Sequence, residues 1–175
     1  MTWINVLIKM NLQFYLEKLR ASGEFQSFIR ENPGAFLCSG FLTIDKEKNN
    51  NKVHFDYFIP QGGKMTSFQL ESKIQKVPLE KYDDKIPEEV STDFELNFEE
   101  IESLISEKME NENIKSKIQK IILSLQKVGG KNLLIGTVFV SSLGLLKIVI
   151  DIEDKKIKEF EKKSLFDIMN VFKKD

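Results

Sequence analysis

The longest apolar stretch of the chain runs from Leu133 to Phe160 and reads LLIGTVFVSSLGLLKIVIDIEDKKIKEF. Its first eighteen positions, 133–150, carry a single charge, Lys147, which brings the stretch near the lower length limit of a membrane-spanning helix. The residue types argue for strands. Ile135, Thr137, Val138, Val140, Ile148, Val149 and Ile150 are β-branched and suit a pleated, packed surface. Ser141, Ser142 and Gly144 interrupt the run where a short turn would fall, and Glu153-Asp154-Lys155-Lys156 supplies a second polar turn. The pattern predicts strands at 133–141, 145–152 and 156–161 joined as an antiparallel meander, and no membrane span.

Earlier in the chain, Leu12, Tyr15, Leu16 and Leu19 follow helical spacing, and Phe25, Phe28 and Ile29 do so on another side. Ser22-Gly23 lies between the two sets, which predicts a bent helix or helix pair over 11–31 with Ser22 as a cap and Asn32-Pro33-Gly34 as the stop. Ala35–Asp45 reads as a buried strand. Val53, Phe55, Tyr57 and Ile59 alternate with His54, Asp56 and Phe58, the period of a second strand. Met65–Leu70 gives a third. Residues 76–97 carry two prolines and many acids and read as a long exposed connection, with room for a short strand at Phe94–Leu96.

Asn97-Phe98-Glu99-Glu100 has the form of a capping box. Phe98, Ile101, Leu104 and Ile105 make one helical stripe, and Ile114, Ile118, Ile121, Ile122, Leu125 and Val128 make another on nearly the opposite side. The expectation is therefore two helices, 98–109 and 113–128, separated at 110–113 and ended by Gly129-Gly130. Ser164 is placed to cap a last short helix through Leu165, Ile168, Met169 and Phe172.

The expected fold class is α+β. Two halves, 11–74 and 98–175, each made of helix plus a three-strand meander, form an antiparallel sheet with helices packed on one face, joined by an acidic linker at 75–97 within a single domain spanning 1–175.

Composition narrows the chemistry. A hydrophobic content of 41% and a net charge of −1 are ordinary for a soluble globular chain and give no electrostatic footprint for nucleic acid. Cys38 is the one cysteine, so no intramolecular disulfide forms, which suits a cytoplasmic setting. The first residues lack a basic region and a small-residue cleavage site, which argues against a signal peptide. Met10 is a candidate second start, making 1–9 an extension. No cofactor motif is present: Gly62-Gly63 and Gly129-Gly130 are isolated pairs without the lysine or repeated glycines of a phosphate loop.

His54 is the one histidine, and general-base work needs a partner within reach. Cys38 lies in an apolar strand and reads as an inert core thiol. Zinc needs more ligands than these two residues provide, and Asp151, Glu153 and Asp154 do not match a calcium loop. No catalytic, cofactor or metal residues are assigned, which argues against an enzyme. Charge does gather: between Glu80 and Glu112 there are 13 acids and 3 lysines. Glu88, Glu89, Glu99 and Glu100 form the candidate interaction surface for a basic partner.

Residues 145–169, LLKIVIDIEDKKIKEFEKKSLFDIM, carry a strand ending in Ile150-Asp151, a polar turn and a return strand. This resembles the C-terminal hairpin of PepSY-type domains, small α+β modules with a cystatin-like plan. The family hairpin usually has glycine in its turn, where this chain has Glu153-Asp154-Lys155-Lys156. The resemblance implies protein or peptide binding and, for some members, peptidase inhibition. The leading expectation is thus a non-enzymatic protein- or peptide-binding domain. The alternative is a small-ligand or enzymatic domain with a cavity between sheet and helices, His54 and Tyr57 being the candidate pocket residues.

Overall fold

The computed structural model describes residues 11–80, 84–93 and 96–164. The extension at 1–9, the C-terminal helix after Ser164 and most of the short strand at 94–96 lie outside the described residues. Three helices, α1 (Leu12–Arg20), α2 (Gly23–Glu31) and α3 (Phe98–Asn111), accompany eight strands. The strands are β1 (Phe36–Asp45), β2 (Lys52–Ile59), β3 (Lys64–Leu70), β4 (Ile74–Leu79), β5 (Ile118–Val128), β6 (Lys131–Val140), β7 (Gly144–Asp151) and β8 (Lys156–Ser164). They form one antiparallel sheet in the order β4-β3-β2-β1-β5-β6-β7-β8.

This overturns the expected α+β class of helix-plus-three-strand halves. The described residues are β-rich, a single eight-stranded sheet carrying three short helices. Two segments account for the difference. Residues 113–128, expected as a helix, are mostly β5, because Ile121, Leu123 and Leu125 fit a period of two as well as the isoleucines fit 3.6. The position decides it: β5 lies between β1 and β6, where both edges of its backbone are hydrogen-bonded and β-branched side chains pack well. Residues 75–79, expected in the linker, belong with Ile74 to the edge strand β4, whose mostly exposed side chains and Pro78 hide the strand period.

The helices begin where the caps predict. Asn11 Oδ1 accepts from the Phe14 amide at 2.7 Å and Ser22 Oγ from the Phe25 amide at 3.2 Å. Asn97 and Glu100 exchange both bonds of a capping box, at 2.8 and 2.9 Å. Helix α3 runs to Asn111, and Asn113 turns the chain with φ 57°.

Cross-strand partners share a sheet face, so the register sorts every strand residue. Phe68, Phe55, Gly40, Leu125, Leu134 and Ile150 lie along one row, and Leu42, Leu123, Gly136 and Ile148 along the next. This is the face that all three helices cover, and its side chains form one core with Leu16, Leu19, Phe25, Phe28, Ile101 and Ile105. Phe25 and Phe28 of α2 meet Phe68 at ring-centroid distances of 5.4 and 5.1 Å. Across β5, β6 and β7 the buried side chains are aliphatic, among them Leu123, Leu125, Leu134, Val138, Leu146 and Ile148.

Both sheet edges are poor templates for further pairing. Pro78 removes a donor from β4, and β8 alternates Lys156, Lys158, Glu159, Glu161, Lys162 and Lys163 along its length. Among the described residues, no helix is long and apolar enough to cross a membrane.

Candidate functional site

His54 and Tyr57 are three residues apart on β2 and so project to opposite faces of the sheet. The structure does not bring them into one pocket. His54 lies on the helix-free face beside Phe41, with ring centroids 5.9 Å apart. Its Nε2 is 3.6 Å from a Glu71 carboxylate oxygen and makes no hydrogen bond.

The acidic residues also have different surroundings. The Glu88 carboxylate accepts from the amides of Gly129 and Gly130 at 3.0 and 3.1 Å. Both glycines have positive φ, 58° and 78°, a conformation that turns successive N–H groups toward one anion. Glu100 is half-buried, serves the α3 cap and takes a 3.0 Å ion pair from Lys155. These two carboxylates are engaged within the molecule. Glu89 and Glu99 are exposed, the first on the linker and the second on the first turn of α3.

The linker is fastened across the end of the sheet that holds the β5–β6 turn. Besides Glu88, the Val90 amide donates to the Leu37 carbonyl at 2.8 Å, and the Ser91 amide to Asn132 Oδ1 at 3.2 Å. Val90 and Asn132 are almost fully buried. Composition identified the acids here but not this role, since a carboxylate in a glycine nest looks like any other charge in sequence.

Two surfaces have the geometry of binding sites. The first is the helix-free face. Among the described residues, no helix packs on it. The register places Phe41, Ser124, Ile135 and Val149 in one row across β1, β5, β6 and β7, flanked by Thr43, Ile122 and Thr137 on one side and Ser39, Gln126 and Leu133 on the other. Phe41 is 37% exposed although it sits on a central strand. Ile122, Leu133, Ile135 and Val149 are half-buried.

The second is a cleft of about 600 Å³ between α2, the start of β1, the linker and the end of β5. Phe25, Ile29, Leu37 and Val90 line its apolar part. Tyr57 also lines it and is 4% exposed, yet its hydroxyl has no hydrogen-bond partner among the described residues. Burial pushes the Tyr57 phenol up to about 12, while the charge of Arg20 pulls it the other way. Arg20 donates to Thr92 Oγ1 at 3.3 Å and, like Lys127, has no carboxylate partner among the described residues.

Elsewhere the charged or reactive groups are paired or shielded. A cleft of about 630 Å³ at the C-terminal end of α3 is spanned by the Lys46–Glu102 ion pair at 2.9 Å. Cys38 sits at a bulge in β1, and its thiol, 3.3 Å from the Asp56 carbonyl, is pushed up to about 12 by burial and then by the Asp56 charge. It is a poor nucleophile there. Among the described residues, no group of three or more His, Cys, Asp or Glu side chains is placed to hold a metal ion.

The fold and these surfaces define an antiparallel sheet backed on one face by helices, with no helix among the described residues on the other. No family model and no curated protein matches the chain. A solved structure from Clostridium difficile 630, provisionally called a lipoprotein, is similar over 80% of this chain and 90% of its own, with a TM-score of 0.52 and 9% sequence identity. At that identity the likeness concerns the fold alone.

Proposed function

We propose that the chain is a non-enzymatic interaction domain that binds a protein or peptide partner across the helix-free face of its sheet. The observation that carries this reading is Phe41, a large aromatic left 37% exposed on a central strand and surrounded by half-buried aliphatic side chains. Aromatic residues are enriched at the centre of interfaces, and polar groups form the rim around them. Ser39, Ser124, Gln126 and Thr137 supply those polar groups. The hairpin resemblance to PepSY-type domains points the same way, toward peptide or protein recognition.

The test is a native pull-down with mass spectrometry using the wild-type chain and a Phe41→Glu variant in parallel. A partner recovered by the wild type and lost by the variant, with the thermal transition unchanged, supports the proposal. Equal recovery by both proteins, or turnover on a metabolite panel without any partner, overturns it. A cytoplasmic setting is part of the same proposal, and fractionation of the source cells tests it.

A further inference from the structure

We infer that the cleft beside Tyr57 is a binding site for a single carboxylate carried on an apolar body. Three groups at its mouth are short of partners. Arg20 has one hydrogen bond, to a neutral hydroxyl, and four further N–H donors. Lys127 has no ion pair among the described residues, and neither does the Tyr57 hydroxyl have a hydrogen bond there. The Tyr57 ring is buried while its hydroxyl is not enclosed, which leaves that hydroxyl at the cleft as a donor for a ligand.

A carboxylate oxygen answers all three needs, since it accepts from a guanidinium, an ammonium and a phenol. The apolar lining fixes the rest of the ligand. Phe25, Leu37 and Val90 are each less than 10% exposed, and the cleft of about 600 Å³ falls within the ordinary range for small-ligand sites. The rim fixes the charge. Glu89 and Asp93 also line the cleft, on the linker side, and their charges oppose a multiply ionised group such as a phosphate ester. One negative charge with a hydrocarbon tail fits best. A free aliphatic acid and the C-terminus of a peptide with an apolar last residue share this chemistry. The inference does not depend on the helix-free face being an interface.

The experiment is a titration of the full chain, observed by backbone amide NMR, with octanoate, with a tetrapeptide ending in a free leucine carboxylate, and with the same peptide amidated. Saturable shifts centred on Val90, Ser91 and Thr92 with octanoate or the free peptide, and none with the amide, support the site and identify which source it takes. Arg20→Gln should weaken binding about tenfold, because a charge-assisted bond is lost, and Tyr57→Phe about fivefold. Phe41→Ala should leave the titration unchanged, which separates this site from the sheet face. No saturable shift with either acid, equal shifts with the amide, or unaltered affinity in Arg20→Gln overturns the inference. Arg20 is exposed at the end of α1, so its replacement leaves the core intact.

Discussion

The two faces of the eight-stranded sheet are built from the same strands and differ in what a side chain there contributes. On the covered face, Phe55, Phe68, Leu125, Leu134 and Ile150 are fully buried under α1, α2 and α3. On the helix-free face, the corresponding central positions are Phe41, Ile122, Ile135 and Val149, half-buried or exposed. The same apolar residue types therefore serve folding on one side and are available for contact on the other. Removing a large side chain should cost stability on the covered face and partner binding on the open one.

The largest effect is expected from Phe68→Ala. Phe68 contacts Phe25, Phe28 and Tyr57, and its loss opens a cavity at the junction of α2 and the sheet. Chemical denaturation should report a loss of about 3–5 kcal/mol. Close behind is Gly136→Ala. A Cβ at Gly136 would collide with the Ile122 carbonyl oxygen on β5, which cannot move without breaking the central ladder. A loss of about 3 kcal/mol is expected by the same measurement. If either variant melted like the wild type, the contrast between faces would fail at its stronger end.

Asn97→Ala probes the cover itself. It removes the acceptor for the Glu100 amide at the start of α3, and a loss of about 1 kcal/mol is expected. A much larger loss would mean that α3 is held by its cap more than by Ile101 and Ile105.

Asp151 sharpens the comparison, because it belongs to the open face by register yet is 1% exposed. Its carboxylate accepts from the Asp154 amide at 3.2 Å and from Lys131 Nζ at 3.1 Å, and lies 3.8 Å from Lys158 Nζ. The Asp154 hydrogen bond chiefly, and then the two lysines, hold its carboxyl below the ordinary 3.8 against the opposing effect of burial. A carboxyl lowered in the folded state stabilises the protein above its unfolded value, and that contribution is lost as pH falls through the folded value. Stability should therefore be flat near neutrality and decline below about pH 4. In Asp151→Asn, the acid decline should be shallower, measured by thermal melts from pH 7 to pH 2. An unchanged acid limb would show that this carboxylate is not part of what acid removes.

The same contrast explains what sequence could and could not convey. The strands at 133–164 were legible because β-branched residues and short polar turns coincide there. β5 was not, since Ile118, Ile121, Ile122, Leu125 and Val128 satisfy a helical stripe, and only its neighbours β1 and β6 decide between the periods. β4 was obscured by Lys76 and Pro78 at positions that face the helices. At the candidate sites, Tyr57 was legible as a strand aromatic. Its separation from His54 was legible too, because an odd spacing along a strand places two residues on opposite faces. Arg20 and Lys127 line one cleft only because the end of α1 and the end of β5 meet in the folded chain, which no local pattern encodes.

The smallest expected change in stability belongs to Phe41→Ala. The side chain stacks on His54 at 5.9 Å but has no covering layer among the described elements, so its truncation leaves no closed cavity. The denaturation midpoint should move by less than about 0.5 kcal/mol in equivalent free energy. Pull-down recovery should nevertheless fall sharply, since a central aromatic anchor commonly accounts for 2 kcal/mol or more of an interface, roughly a thirtyfold loss of affinity. A small change in folding with a large change in recovery would establish that the face carrying Phe41 serves binding. A loss of stability approaching that of Phe68→Ala would instead mean that Phe41 is a core residue, and the distinction between the two faces would disappear.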